Sequence, residues 1–193
     1  MRKLTVDDIV DLRAYERERA DFRARMIEMK KHRRVPLGEL MTMVFENTET
    51  MRFQIQEMAR AERMLRDEQI AHEVDTYNEL LPDDGELSAT LFVEITDPDS
   101  LRAWLPKLVR LQDHVSIEVG GVRSPATEID EERLTREEEI TTTVHYLRFA
   151  FTPEQRAAFG DGPVVVRIAH PAYRAEATLD DATRAALVTD FAG

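Results

Sequence analysis

Histidine and carboxylate side chains must carry any metal or acid–base chemistry in this chain, because it contains no cysteine. Two histidines fall on apolar, strand-like faces. His145 is in phase with Leu147, Phe149 and Phe151, and His170 with Val164, Val166 and Ile168. If the two strands pair antiparallel across the helix between them, both imidazoles reach the same end of a sheet. With a carboxylate such as Glu176 they could hold iron, zinc or manganese, or serve a small-molecule-binding enzyme. The competing expectation is two strand-end histidines bonded to backbone or water. A second set, Glu68, His72, Asp75 and Glu79, is spaced to share one helix face. Helical di-iron proteins place a Glu-x-x-His pair on each of two helices. Here the Glu68–His72 spacing is one residue longer and has no second copy, so a solvated stripe competes with a metal site. A third set, Glu57, Arg60 and Glu62, opens a helix. Glu57 and Arg60 are spaced to pair with each other, and held rigidly the set would suit docking to a partner. There is no Gly-x-Gly-x-x-Gly, phosphate loop or Gly-x-Ser-x-Gly elbow.

The elements that must position these residues are read from hydrophobic period and turn chemistry. Thr5 starts a first helix with an acidic first turn and an apolar stripe through Ile9, Leu12 and Tyr15, and a second helical stretch with Phe22, Met26 and Met29 follows to about His32. Pro36 and Gly38 break the pattern. Met41, Met43 and Phe45 alternate, Asn47-Thr48-Glu49 supplies turn chemistry, and Met51, Phe53 and Ile55 alternate again. This predicts a hairpin, Leu40–Phe45 with Met51–Ile55, that feeds directly into a helix. From Gln56 to Leu81 there are two apolar stripes, one through Met58, Ala61 and Leu65 and one through Ile70, Val74, Tyr77 and Leu81. Their offset predicts a kink near Asp67, or one helix whose ends face different partners.

After Pro82-Asp83-Asp84-Gly85 the chain becomes strand-rich. Leu87, Ala89, Leu91, Val93 and Ile95 alternate with Ser88, Thr90, Phe92 and Glu94 as a strand; Asp97-Pro98 caps a helix that Pro106 should bend or shorten. Gly120-Gly121 marks a two-residue hairpin. Residues 128–139 are acidic and read as a solvated loop or short helix. Ile140–Phe151 is a strand, Thr152-Pro153-Glu154-Gln155 has capping-box spacing, Val164–His170 and Tyr173–Leu179 form a hairpin, and Asp180 caps a last helix. The expected fold class is α+β: a mostly antiparallel sheet with an N-terminal helical segment and a hairpin leading into a helix. A length of 193 residues with 42% apolar content is enough for a real core. It suits one domain in two packed halves, 1–82 and 86–193.

Composition removes several functions. Without cysteine there can be no disulfide, no thiolate-held zinc and no cysteine-ligated iron–sulfur cluster. A formal charge of −12, from 38 acidic and 26 basic side chains, opposes the field that nucleic-acid binding needs and favours a partner with a basic patch. The basic run Lys30-Lys31-His32-Arg33-Arg34 sits where a helix C-terminus attracts cations; a phosphate or acidic-partner patch is the alternative. No export signal and no stretch of ~20 apolar residues is present, so a cytoplasmic protein is expected.

Five strings together carry a resemblance: Val44-Phe45-Glu46-Asn47, Gln54-Ile55-Gln56-Glu57-Met58-Ala59-Arg60-Ala61-Glu62, Tyr77-Asn78-Glu79-Leu80-Leu81-Pro82, Leu87-Ser88-Ala89-Thr90-Leu91-Phe92 and His145-Tyr146-Leu147-Arg148-Phe149. They resemble the bacterial domain-of-unknown-function family 3501 over nearly the whole chain. That resemblance carries no catalytic residues. Family members tend to be encoded beside a rubrerythrin-like di-iron protein and a cysteine-rich iron–sulfur protein, which implies a redox setting. The expected function is therefore that of a non-enzymatic accessory protein that docks to such a partner.

Overall fold

The structure is a computed structural model that describes residues 1–129 and 140–192. A 3-10 turn, Val6–Asp8, leads into helix α1, Leu12–Lys31. Strands β1 (Arg34–Leu37) and β2 (Met41–Glu46) form a hairpin that runs into α2 (Thr48–Ala61) and α3 (Asp67–Glu79). Then come β3 (Glu86–Val93), α4 (Pro98–Trp104), β4 (Val115–Val119) and β5 (Val122–Glu128). The chain closes with β6 (Val144–Ala150), α5 (Pro153–Ala158), β7 (Val164–His170), β8 (Tyr173–Thr178) and α6 (Asp181–Val188). The strands form one antiparallel sheet in the order β1-β2-β3-β6-β5-β4-β7-β8. The sequence-level fold class holds, and so do the caps at Asp97, Thr152 and Asp180 and the hairpin at Gly120-Gly121. The acidic loop expected over 128–139 falls mostly outside the described residues.

One element differs in kind. Met51–Ile55 is not a strand; it is the second turn of α2, and β2 pairs instead with β1 before it and β3 after it. The reason lies in Asn47 and Thr50. The Thr50 N–H donates to Asn47 Oδ1 at 2.9 Å and the Asn47 N–H to Thr50 Oγ1 at 2.8 Å, a reciprocal cap that starts a helix where a turn was expected. Met51, Ile55 and Ala59, four apart, are the buried side; Phe53 is only half-buried, stacked edge-on against Phe22 with ring centroids 5.4 Å apart. The expected kink is a complete break. Ala61 ends α2, Arg63 takes φ +54°, and α3 starts at Asp67 with Arg66 as its N-cap residue.

The sheet curls around one core built from Met43, Phe45, Leu91, Ile117, Phe149 and Val166. Strand β5 makes the corner: residues 122–125 pair with β4, and 126–128 with β6. The two ends of the sheet meet through a side chain. Tyr173 Oη donates to Leu37 O at 2.6 Å and accepts from the Leu40 N–H at 3.3 Å. Gly38 sits beneath it with φ +69°, and a Cβ there would overlap the hydroxyl. Pro36 is tolerated because β1 is a terminal strand of the sheet. The two sequence halves share this sheet through the β2–β3 ladder.

The sheet faces are covered unequally. All six residues of β2 and the central residues of β3 are buried, and beside them Met51 and Ile55 of α2, Val74 of α3 and Leu81 just after it form a second cluster against Tyr146 of β6. On β8 no residue is buried and on β5 only Ser124 is, whereas β7 alternates buried and exposed.

Candidate functional site

The histidine sets are placed as follows. His145 is fully buried at the start of β6. Its Nδ1 lies 2.9 Å from Glu128 Oε2 and its Nε2 lies 3.1 Å from Thr141 Oγ1. Glu128 Oε1 in turn accepts from the Tyr146 N–H at 2.7 Å. The hydroxyl–imidazole–carboxylate order is that of an activated nucleophile, but all three side chains are buried, Thr141 and Glu128 nearly as deeply as the ring. The trio acts as a clip, tying the end of β5 to the chain that re-enters at β6. His170 is also buried and has both nitrogens committed: Nδ1 accepts from the Ala172 N–H at 3.1 Å, and Nε2–H donates to Val109 O at 3.0 Å. Strands β5 and β4 separate the histidine strands. Glu176 is in register with Arg167, on the face opposite to His170, and pairs with Arg167 Nη1 at 2.6 Å. The expected His145, His170 and Glu176 set is therefore not assembled, because the period-two alternation of β7 and β8 sends the carboxylate outward. Glu68, His72, Asp75 and Glu79 share an exposed face of α3. Among the described residues, no group of three or more His, Asp or Glu side chains could hold a metal ion.

The third set is divided between two roles. Glu57 does not pair with Arg60; it clamps α2 to α1. Arg19 Nε and Nη2 donate to its two oxygens at 2.7 and 2.8 Å, and Tyr15 Oη donates at 2.6 Å. The Arg19 fork, aided by the Tyr15 hydroxyl, holds the Glu57 carboxyl down to about 2. Burial, with Glu57 beside it, pushes the Tyr15 phenol up. Arg60 reaches Glu16 instead, at 2.5 Å, and Glu62 is the exposed C-cap residue of α2.

Beyond Arg60 the surface opens into a groove. One part, of about 510 Å³, is lined by Leu12, Glu16, Arg60, Ala61, Arg63 and Leu65. An adjoining part of about 200 Å³ shares Leu12 and Leu65 and adds Ile9, Met64, Asp67 and Ile70. Leu65 is 80% exposed at its mouth, the most exposed large apolar side chain among the described residues. The helical stripe through Met58, Ala61 and Leu65 hid this site in the sequence. No glycine or asparagine marks the end of α2; an arginine takes the left-handed position.

The basic run at 30–34 has several tasks. Lys30 and Lys31 close the last turn of α1, whereas Arg33 is buried and makes a two-pronged pair with Asp190, both contacts 2.8 Å. That pair binds the α1–β1 junction to the chain's C-terminal turn.

Two comparisons place the chain among known proteins. Residues 3–191 match the family model described as a protein of unknown function, DUF3501. The chain belongs to that family. A DUF3501 assignment agrees with the resemblance carried by the five strings. The chain is also similar to a crystal structure of a novel protein of unknown function from Burkholderia pseudomallei K96243. The two are 32% identical with a TM-score of 0.91, over 98% of this chain and 99% of that one. No curated protein matches. Among the described residues, no helix is long and apolar enough to cross a membrane.

Proposed function

We propose that this DUF3501 protein is a non-catalytic accessory protein that docks to a partner through the groove at the α2–α3 turn. What supports this reading is that the most exposed large apolar side chain among the described residues, Leu65, stands at the edge of a hollow lined by Ile9, Leu12, Met64 and Ile70. The groove's lining carries both signs: Arg60, Arg63 and Glu16 in one part, Asp11 and Asp67 in the other, with Arg60 already paired to Glu16. The net charge of −12 favours a basic partner surface. The occupant is a partner segment with an apolar anchor on such a basic surface. The family's redox setting makes a rubrerythrin-like or iron–sulfur protein the partner to test. The enzyme alternative at His145 and His170 requires ring nitrogens that already have hydrogen-bond partners.

Purified rubrerythrin-like and iron–sulfur proteins encoded beside the gene should be retained by the wild type at low salt and released at 1 M salt, where the Debye length is ~3 Å. Leu65→Asp should abolish retention without moving the unfolding midpoint. Retention by that variant would move the docking surface elsewhere. Absence of any partner, with substrate turnover or a stoichiometric cofactor in the isolated protein, would replace the docking reading with the enzyme one.

A further inference from the structure

On the outer face of β5, β4, β7 and β8 the outward positions carry Arg123, Arg167 and Arg174, with Glu118 and Glu176 beside them. Register sets their layout. Arg123 lies across from Glu118, Arg167 from Ser116 and Glu176, and Arg174 from Ala169. The three arginines form a diagonal across four strands, and the small side chains Ser116 and Ala169 between them leave room for long side chains to converge. The hollow they line with Ala169 and Glu176 measures about 640 Å³.

Their pairing is incomplete. Arg167 Nη1 contacts Glu176 at 2.6 Å and Nη2 reaches Glu118 at 4.0 Å, but its Nε is buried with no partner. Among the described residues, the side chains of Arg123 and Arg174 have neither an ion pair nor a hydrogen bond. Three guanidinium groups face two carboxylates, Glu118 and Glu176, on this face, so an uncompensated positive charge remains among the described residues. An anion placed between them offsets that excess charge and supplies acceptors for the Arg123 and Arg174 side chains. Guanidinium forks match the paired oxygens of phosphate and carboxylate groups.

We propose that this face is a binding site for a small, multiply charged oxyanion held by Arg123, Arg167 and Arg174. Glu176 acts as the gatekeeping competitor, occupying Arg167 until the anion displaces it. The site is remote in sequence from the Leu65 groove and does not depend on the docking reading.

Isothermal titration at low ionic strength with pyrophosphate and, separately, citrate tests the proposal and distinguishes phosphate from carboxylate chemistry. Saturable one-to-one binding of either anion to the wild type is expected. Arg123→Ala/Arg174→Ala should weaken it at least about tenfold, as expected for losing two charge-assisted contacts. Glu176→Gln should tighten it about threefold, because it releases Arg167 from a surface ion pair. An Arg13→Ala/Arg17→Ala control on exposed positions of α1 should bind as the wild type does. All variants alter exposed or half-exposed side chains, so thermal midpoints should hold. Failure of both anions to saturate, equal affinity in the Arg123/Arg174 variant, or weaker binding in Glu176→Gln would overturn the proposal.

Discussion

Replacing Glu57 with glutamine removes one charge from the α1–α2 clamp while keeping its shape. The folded carboxyl is held from 4.5 down to about 2, chiefly by the Arg19 fork. At ~1.36 kcal/mol per tenfold change in proton affinity, that displacement sets a ceiling of about 3.4 kcal/mol. Arg19 and Glu57 are 29% and 30% exposed, so solvent screens the pair substantially. A loss of about 1–2 kcal/mol at pH 7 is expected for Glu57→Gln. The pH dependence has a definite sign. The folded carboxyl titrates below the unfolded one, so the stabilisation is complete above about pH 4.5 and drains away as pH falls towards 2. At pH 3 roughly two-fifths of it remains. Urea unfolding of both proteins at pH 7, 4 and 3 measures the difference directly, with other titrating groups cancelling between them. An unchanged difference at pH 3, or one under ~0.3 kcal/mol at pH 7, would show that the clamp is geometry without electrostatic consequence.

Arg33→Ala leaves Asp190 buried without its counter-charge and should cost about 3–5 kcal/mol in denaturant unfolding, whereas the double change to apolar residues should cost less. Gly38→Ala forces a side chain into a left-handed backbone position against Tyr173; it should destabilise by more than ~1 kcal/mol, and Tyr173→Phe, read in the same assay, should cost about 1 kcal/mol for the lost hydroxyl bonds. Asn47→Ala removes the cap of α2 and should cost ~1 kcal/mol, while Asn47→Asp should not.

Strands and caps were legible where a single local signal dominated. Leu87 to Val93 alternates, Gly120-Gly121 permits only a tight turn, and Thr152 to Gln155 has the spacing of a reciprocal cap. The misread element carried two periods at once. Met51, Phe53 and Ile55 fit a strand, yet Met51, Ile55 and Ala59 fit a helix, and the cap between Asn47 and Thr50 decided for the latter. Side-chain partners were legible only as possibilities. Glu57 could be paired with Arg60 from spacing alone, but its choice of Arg19 depends on where α1 packs, which no local pattern encodes. The same holds for His170, whose commitment to Val109 O and the Ala172 N–H is set by tertiary placement. Leu65 was hidden because its exposure follows from Arg63 adopting a conformation that arginine seldom takes.

The strand order has a consequence during synthesis. Strands β1, β2 and β3 can assemble as soon as residue 93 is free of the ribosome, but the neighbour of β3 is β6, which begins at Val144. Until then β3 presents a bare ladder, and its core-side residues Leu87, Ala89, Leu91 and Val93 lack the partners that the later strands bring. At 5–20 residues per second, roughly, that state lasts several seconds. Such an edge recruits other nascent chains. The β4–β5 hairpin, made entirely within that interval and carrying the corner that receives β6, is placed to shorten the exposure by gathering the late strand as it emerges.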